Sequence, residues 1–213
     1  HWQRGSERHP GDNILSVTLR NYVMPETPLG HAICSLFARV LPLLNGMPTG
    51  TLKVFIFGGA AVHLLTQSRG SADVDAETVA STALDMNEVR AVLEVPELYE
   101  DESGRELQII IDQNYSNTLG PLHEDYRERA IPIYGFAEDS PLQLLIAAPV
   151  DLAISKLGRF SEIDRQDIEL LLRLGKINAQ EFFQLAEDAI EFSVSGSKGI
   201  TRCNLRDVTE PYL

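Results

Sequence analysis

The chain is short of positive charge, with 18 Lys and Arg against 31 Asp and Glu in 213 residues and a formal net charge of −13. A nucleic-acid binder normally turns a basic face to the phosphate backbone, so no extended nucleic-acid footprint is expected. Long apolar runs are missing too. Nothing approaches the ~18 uninterrupted apolar residues of a membrane helix, and the opening HWQRGSERHP carries no apolar core of a secretory leader. Two cysteines, Cys34 and Cys203, are too few for a disulfide framework and fit a reducing cytoplasm as unconnected thiols. There is no Gly-x-Ser-x-Gly elbow, which argues against a hydrolase of that type. Gly196, Lys198 and Gly199 lack the full phosphate-loop pattern and read as a flexible turn. His31, His63 and His123 form no metal-ligand spacing with cysteine, and His63 reads as a packing or phosphate-side residue.

What is present is ordinary soluble composition, 44% hydrophobic and 23% charged, in a chain able to bury one core and a small helical appendage. The expected organisation is an irregular N-terminal arm (residues 1–28), a mixed core (29–148), a helical segment (149–192) and a flexible tail (193–213). Apolar residues recur at helical spacing over 29–44, up to the stop Asn45-Gly46. Residues 52–57 read as a buried strand and 60–66 as a helix directly behind two glycines. Residues 73–77 read as a second strand, 87–95 as a helix and 97–106 as a charged surface connection. Further strands are expected at 107–111, 130–134 and 142–147. Helices are expected at 149–160, where Pro149 suits the first helical position, then at 162–174 and 179–190. The fold class is therefore α+β (mixed α/β), a small mixed sheet flanked by helices and followed by a helical segment.

The chemistry gathers in VFIFGGAAVHLLTQSRGSADVDAE, residues 54–77. Gly58 and Gly59 end a buried strand and open a helix, where free N–H groups and the helix dipole favour an anion. A Gly-Gly turn also serves tight packing alone. Asp73 and Asp75 point the same way from an extended segment, concentrating like charge that a divalent cation relieves. A pair of this kind also occurs on solvated strand edges. Asp112 adds a third carboxylate at the end of an otherwise buried strand, a set suited to two-metal chemistry with ions ~3.5–4 Å apart. Glu77 and Asp85 compete with it, Glu77 lying on the Asp73 face but farther along the strand.

The pattern apolar-Gly-Gly, thirteen residues, then Asp-apolar-Asp resembles the signature of the DNA polymerase beta-type nucleotidyltransferase superfamily, carried by Gly58, Gly59, Asp73, Val74 and Asp75. Arg69 and Ser71 resemble the R-x-S/T-x-D-x-D form of bacterial minimal nucleotidyltransferases and AbiEii-like toxins. A second segment, VDLAISKLGRFSEIDRQDIELLL at 150–172, is similar to the C-terminal helices of AbiEii-like and related uncharacterised bacterial nucleotidyltransferases. The resemblance spans roughly 54–174, and Gly59 stands where serine is commoner.

The resemblance implies transfer of a nucleoside monophosphate from NTP to an acceptor hydroxyl with release of pyrophosphate. Asp73, Asp75 and Asp112 would be the catalytic metal ligands for Mg²⁺ or Mn²⁺, with Asp112 on the acceptor side. Gly58, Gly59, Arg69, Ser71 and Lys156 would bind the nucleotide. Arg159, Asp164 and Asp167 would lie at the site edge or organise the helices; Asp151, Lys156 and Arg159 also occupy neighbouring helical positions, where the other reading is a solvated ion-pair ladder, one that suits Arg159 better than Lys156, which sits within an apolar helix. The AbiEii-like resemblance suggests the toxin of a bacterial toxin–antitoxin pair, with a cognate antitoxin and a tRNA, protein or small-molecule acceptor, and a drug-modifying or housekeeping transferase is the other role left open. The alternative is a catalytically silent protein that holds a nucleotide or a partner on the same fold.

Overall fold

The computed structural model describes residues 22–112, 114–116, 120–136, 139–194 and 196–213. Most of the expected N-terminal arm lies outside the described residues. The first described helix, α1 (Pro28–Ala38), starts with Pro28 and is capped by Thr27, whose hydroxyl oxygen accepts the Gly30 N–H at 3.0 Å. The apolar spacing predicted one helix to residue 44, but α1 ends at Ala38 and a 3₁₀ turn, Leu41–Leu44, follows. Pro42, in the first turn of that 3₁₀ segment, cannot donate to a continuing α-helix.

A mixed sheet holds the centre, in the spatial order β3-β4-β2-β1-β6-β5. Strand β1 (Leu52–Phe57) pairs antiparallel with β2 (Asp73–Ala80) and parallel with β6 (Leu142–Ile146). Its Leu52, Val54 and Ile56 are fully buried. Strand β2 also meets β4 (Glu106–Ile111) in parallel, and β4 carries β3 (Glu97–Glu100) as an antiparallel edge. The expected surface connection over 97–106 thus contains a strand. Its residues ELYE alternate between half-buried and exposed, and Arg39 holds its start by donating to the carbonyls of Val95 and Pro96 and to the Glu97 carboxylate. The strand expected at 130–134 shrinks to β5 (Ile131–Pro132), with Ile133 bridging to Val23.

Helix α2 (Gly58–Thr66) follows β1 without a gap and packs on β1 and β2. It ends at Gln67 in the left-handed conformation, which turns the chain toward β2. Helix α3 (Met86–Leu93), capped by Asp85, connects β2 to β3, and a short turn of helix, α4 (Tyr126–Arg129), precedes β5. The Asp85 side chain is therefore occupied in capping, accepting the Asn87 N–H at 2.9 Å, and is not a ligand candidate.

The helical segment is α5 (Pro149–Lys156), α6 (Glu162–Arg173), α7 (Ala179–Phe192) and α8 (Lys198–Thr209). Helix α5 packs on α2, and α6 and α7 pack on α5, so this segment is joined to the glycine-led helix. The tail expected to be flexible instead forms α8, packed on α6 and α7 with Leu205 and Val208 buried. Burying each such side chain stabilises by about 1.5–3 kcal/mol, enough to hold an element that Ser and Gly at its start disguise. Among the described residues no helix is long and apolar enough to cross a membrane.

Candidate active site

Strand register brings the three acids together. Asp75 sits opposite Phe57, the last residue of β1, while Asp73 and Val74 pair with Ile110 and Ile111 of β4. Asp112 follows at the next position, its N–H donating to the Val74 carbonyl at 3.0 Å, so it lies beside Asp75. Ligand oxygens of Asp73, Asp75 and Asp112 all fall within 4.8 Å of one another, with Asp73 exposed and the other two half-buried. Burial, with the Asp73 and Asp112 charges close by, raises the Asp75 carboxyl above its ordinary value, and Lys156 and Arg159 pull it back only in part. The cluster is short of positive charge.

Gly58 explains how Asp75 gets there. Its φ is +60°, and a Cβ at that position would stand 1.8 Å from Asp75 Oδ2. Only glycine fits both the backbone and the approach of the carboxylate. Gly59 serves a second approach: a Cβ there would meet Ser71 Oγ at 2.9 Å and the Arg69 guanidinium at 3.1 Å. A serine, commoner at this place in the resembling proteins, would crowd both. No side chain caps the start of α2, which leaves first-turn N–H groups for an anion.

The loop between α2 and β2 is tied down on each side. His63 Nδ1 donates to the Arg69 carbonyl at 2.7 Å, so Nε2 accepts, at 2.6 Å, from the Thr27 hydroxyl. The Ser71 hydroxyl donates to the Asp73 carbonyl at 2.8 Å and lies 3.3 Å from Asp73 Oδ1. Arg69 reaches across to α6 and donates twice to Asp167, at 2.9 and 2.8 Å. Two of the expected nucleotide-binding residues are thus engaged within the protein, and His63 is a packing histidine that orients their loop. Glu77, farther along β2, is taken up by Tyr126 and Arg127, from which it accepts.

Across from the triad, α5 and α6 carry a compact ion network. Lys156, with only 5% of its side chain exposed, donates to Asp164 at 3.2 Å and lies 2.9 Å from Asp167. Arg159 donates Nε and Nη2 to the two oxygens of Asp164, at 2.7 and 2.8 Å. The Ser161 hydroxyl also donates to Asp164, and two backbone bonds close the capping box of α6: the Ser161 N–H donates to the Asp164 carboxylate and the Asp164 N–H to the Ser161 hydroxyl oxygen. Burial alone would raise the Asp164 carboxyl, but Arg159, Ser161 and Lys156 together hold it far below the usual carboxylate range. The ladder of Asp151, Lys156 and Arg159 does not form, because Asp151 is buried against Arg129 at 2.8 and 2.7 Å.

Between triad and network lies a cleft of about 200 Å³. Gly58, Asp75, Asp112, Lys156, Arg159 and Asp164 line it, together with Phe57, Asn114, Tyr115, Ser116, Gly120 and Ser155. Gly59, Arg69, Ser71, Asp73 and Asp167 are not part of this lining. Sequence reasoning missed the wall formed by residues 114–116 and 120, in a polar, turn-rich stretch without a periodic signal. Tyr115 stacks on Phe57 with ring centroids 5.8 Å apart. Burial, then the charges of Asp75 and Glu77, push its phenol well above the ordinary range, so it stays a protonated donor.

A family model described as "Nucleotidyltransferase of unknown function" (DUF6036) matches residues 36–206. The chain belongs to this family. No curated protein matches it. The DUF6036 match spans the sheet, the triad and the helices that carry the ion network, so sheet and helical segment fall within one family unit.

Proposed function

We propose that this DUF6036 member is a metal-dependent nucleotidyltransferase that moves a nucleoside monophosphate from NTP to an acceptor hydroxyl and releases pyrophosphate. The observation that carries the reading is the convergence of Asp73, Asp75 and Asp112 beside the uncapped, glycine-led start of α2. The donor set fits Mg²⁺ or Mn²⁺: three carboxylates supply hard oxygens within 4.8 Å of one another, a concentration of like charge that a divalent ion would relieve. A divalent ion held there supplies Lewis acidity, lowering the pKa of the acceptor hydroxyl and neutralising charge on the phosphates.

The chain's own residues do the rest. Asp73 and Asp75 would hold the ion or ions, and the uncapped start of α2 would offer its N–H groups to the triphosphate. Asp112, on the side of residues 114–116, faces the acceptor and takes its proton. Tyr115 stays a hydrogen-bond donor toward whatever fills the cleft. Positioning and charge neutralisation are the main contributions to catalysis in phosphoryl transfer.

The test is incubation with labelled NTP and Mg²⁺ or Mn²⁺ against cell extract, which contains tRNA, protein and small-molecule acceptors. Label should move to one acceptor class and should be lost in Asp73→Ala with Asp75→Ala. Label transfer that persists in that double variant would sink the site assignment. NTP binding without turnover for any acceptor would favour the silent binding protein instead. The AbiEii-like form of Arg69, Ser71, Asp73 and Asp75 extends the proposal to a toxin role. Induced expression should then arrest growth, and a neighbouring gene product, the antitoxin, should relieve it.

A further inference from the structure

We infer that Arg159, rather than Lys156, is the cation that grips the phosphates of the incoming nucleotide, and that Lys156 is the internal strut that holds the gripping site in shape. The inference rests on the nucleotidyltransferase reading above and assigns, within it, which side chain meets the substrate.

The two cations are separated by what they have left to offer. Lys156 lies at the end of α5, almost wholly buried, with its ammonium shared between Asp164 and Asp167. An ammonium has three N–H groups and no preferred plane, and two acids already take its charge. Arg159 lies just beyond α5 with 75% of its side chain exposed, on the lining of the cleft. Its bonds to Asp164 use Nε and Nη2, two of the five donors a guanidinium carries. Nη1 has no partner among the described residues. The Asp164 clamp presents the remaining edge of a planar fork, the shape that matches two phosphate oxygens.

The charge count points the same way. Three cations, Arg69, Lys156 and Arg159, share two carboxylates, Asp164 and Asp167. One unit of positive charge is left over, and it is displayed at the only one of the three that is mostly exposed. Asp75 and Asp112 line the same cleft, and the triad they form with Asp73 has no cation bonded to it among the described residues. A polyphosphate with its divalent ion satisfies both walls at once. Because Asp164 also caps α6, the orientation of Arg159 is fixed before any ligand arrives.

The experiment is calorimetric titration of the full chain with each of ATP, GTP, CTP and UTP in Mg²⁺, alongside thermal unfolding. Arg159→Ala should weaken the tightest-binding nucleotide about tenfold or more, the loss expected for a charge-assisted hydrogen bond, with a fall in melting temperature smaller than that of Lys156→Met, because Asp164 keeps Lys156 and the Ser161 hydroxyl. Arg159→Lys should recover only part of that affinity, since it restores charge without the fork. Lys156→Met should instead show its main effect as a lowered melting temperature. Unchanged affinity in Arg159→Ala overturns the inference and leaves the proposed function standing. Full recovery by Arg159→Lys overturns the fork argument. A wild-type chain that binds none of the four nucleotides overturns both readings.

Discussion

Two groups of aspartates face each other across one cleft, and they are handled in opposite ways. Asp164 and Asp167 are almost fully buried, and each is bonded to an arginine and to Lys156. Asp73, Asp75 and Asp112 lie within reach of one another, with Lys156 and Arg159 acting on them only from a distance. Buried charge is tolerated when it is paired and hydrogen-bonded. Like charges held together without a partner cost stability, and they persist only where the fold forces them or a ligand completes them. The first group is therefore part of the protein's structure and the second is a demand on its surroundings, so substitutions in the two groups should separate stability from activity.

The largest separation should come from Asp73→Ala with Asp75→Ala. Loss of ion binding removes several kcal/mol of transition-state stabilisation, or at least about 10³-fold in transfer rate. The same variant should melt no lower than wild type in EDTA, because it relieves repulsion. Added Mn²⁺ should raise the melting temperature of the wild type alone. A variant that melts well below wild type in EDTA would break the distinction.

Lys156→Met should do the reverse. Removing the shared cation from two buried acids costs about 3 kcal/mol, the lower end for a broken buried pair, since each acid keeps an arginine. Denaturant unfolding should register the loss. Gly58→Ala links the two walls of the comparison. It should cost about 1–3 kcal/mol for the strained backbone, and by displacing Asp75 it should also blunt the thermal response to Mn²⁺.

Acid titration sharpens the contrast further. Asp164 has a folded pKa below its unfolded value, so between the two the unfolded chain binds more protons and stability rises with pH. Its contribution is complete above the ordinary aspartate value of about 3.9 and is lost as pH falls through the folded value. Asp164→Asn should therefore be less stable than wild type at neutral pH, and the gap should close in acid. A gap that widens on acidification would contradict the pairing. The smallest effect is expected from Ser161→Ala, which removes the cap of α6 and costs about 1 kcal/mol, with no change in the response to Mn²⁺.

The strand-glycine-helix unit and the Asp73-Asp75 pair were legible because their signals are local: an apolar run, two glycines, and alternation along a strand. Asp112 was legible through its place at the end of LQIII, and parallel pairing of β4 with β2 then set it beside Asp75. The partners of Lys156 were not legible. Helical spacing offered Asp151, but a tertiary contact with Arg129 claims that acid, and Asp164 and Asp167 reach back from the next helix. Arg69 likewise reads as a site residue, and only the packing of α2 on α5 and of α6 on α5 brings it to Asp167. The wall at residues 114–116 was invisible because irregular backbone leaves no period in the sequence. Helix α8 was hidden by composition, since Ser, Gly and Lys at its start masked the buried Leu205 and Val208.

The pairing between β2 and β4 covers two positions, Asp73 with Ile110 and Val74 with Ile111. Every other seam between neighbouring β1, β2 and β6 is longer. Among the seams that join the inner strands β4, β2, β1 and β6, the lightest stitching thus runs into the triad, with the β3–β4 hairpin on one side and the main sheet on the other. Anything that ties Asp75 to Asp112 splints that line. Occupancy of the cleft then becomes readable in the backbone itself, as slowed amide exchange at Ile110 and Asp112, whose N–H groups donate across the seam to Ala72 and Val74.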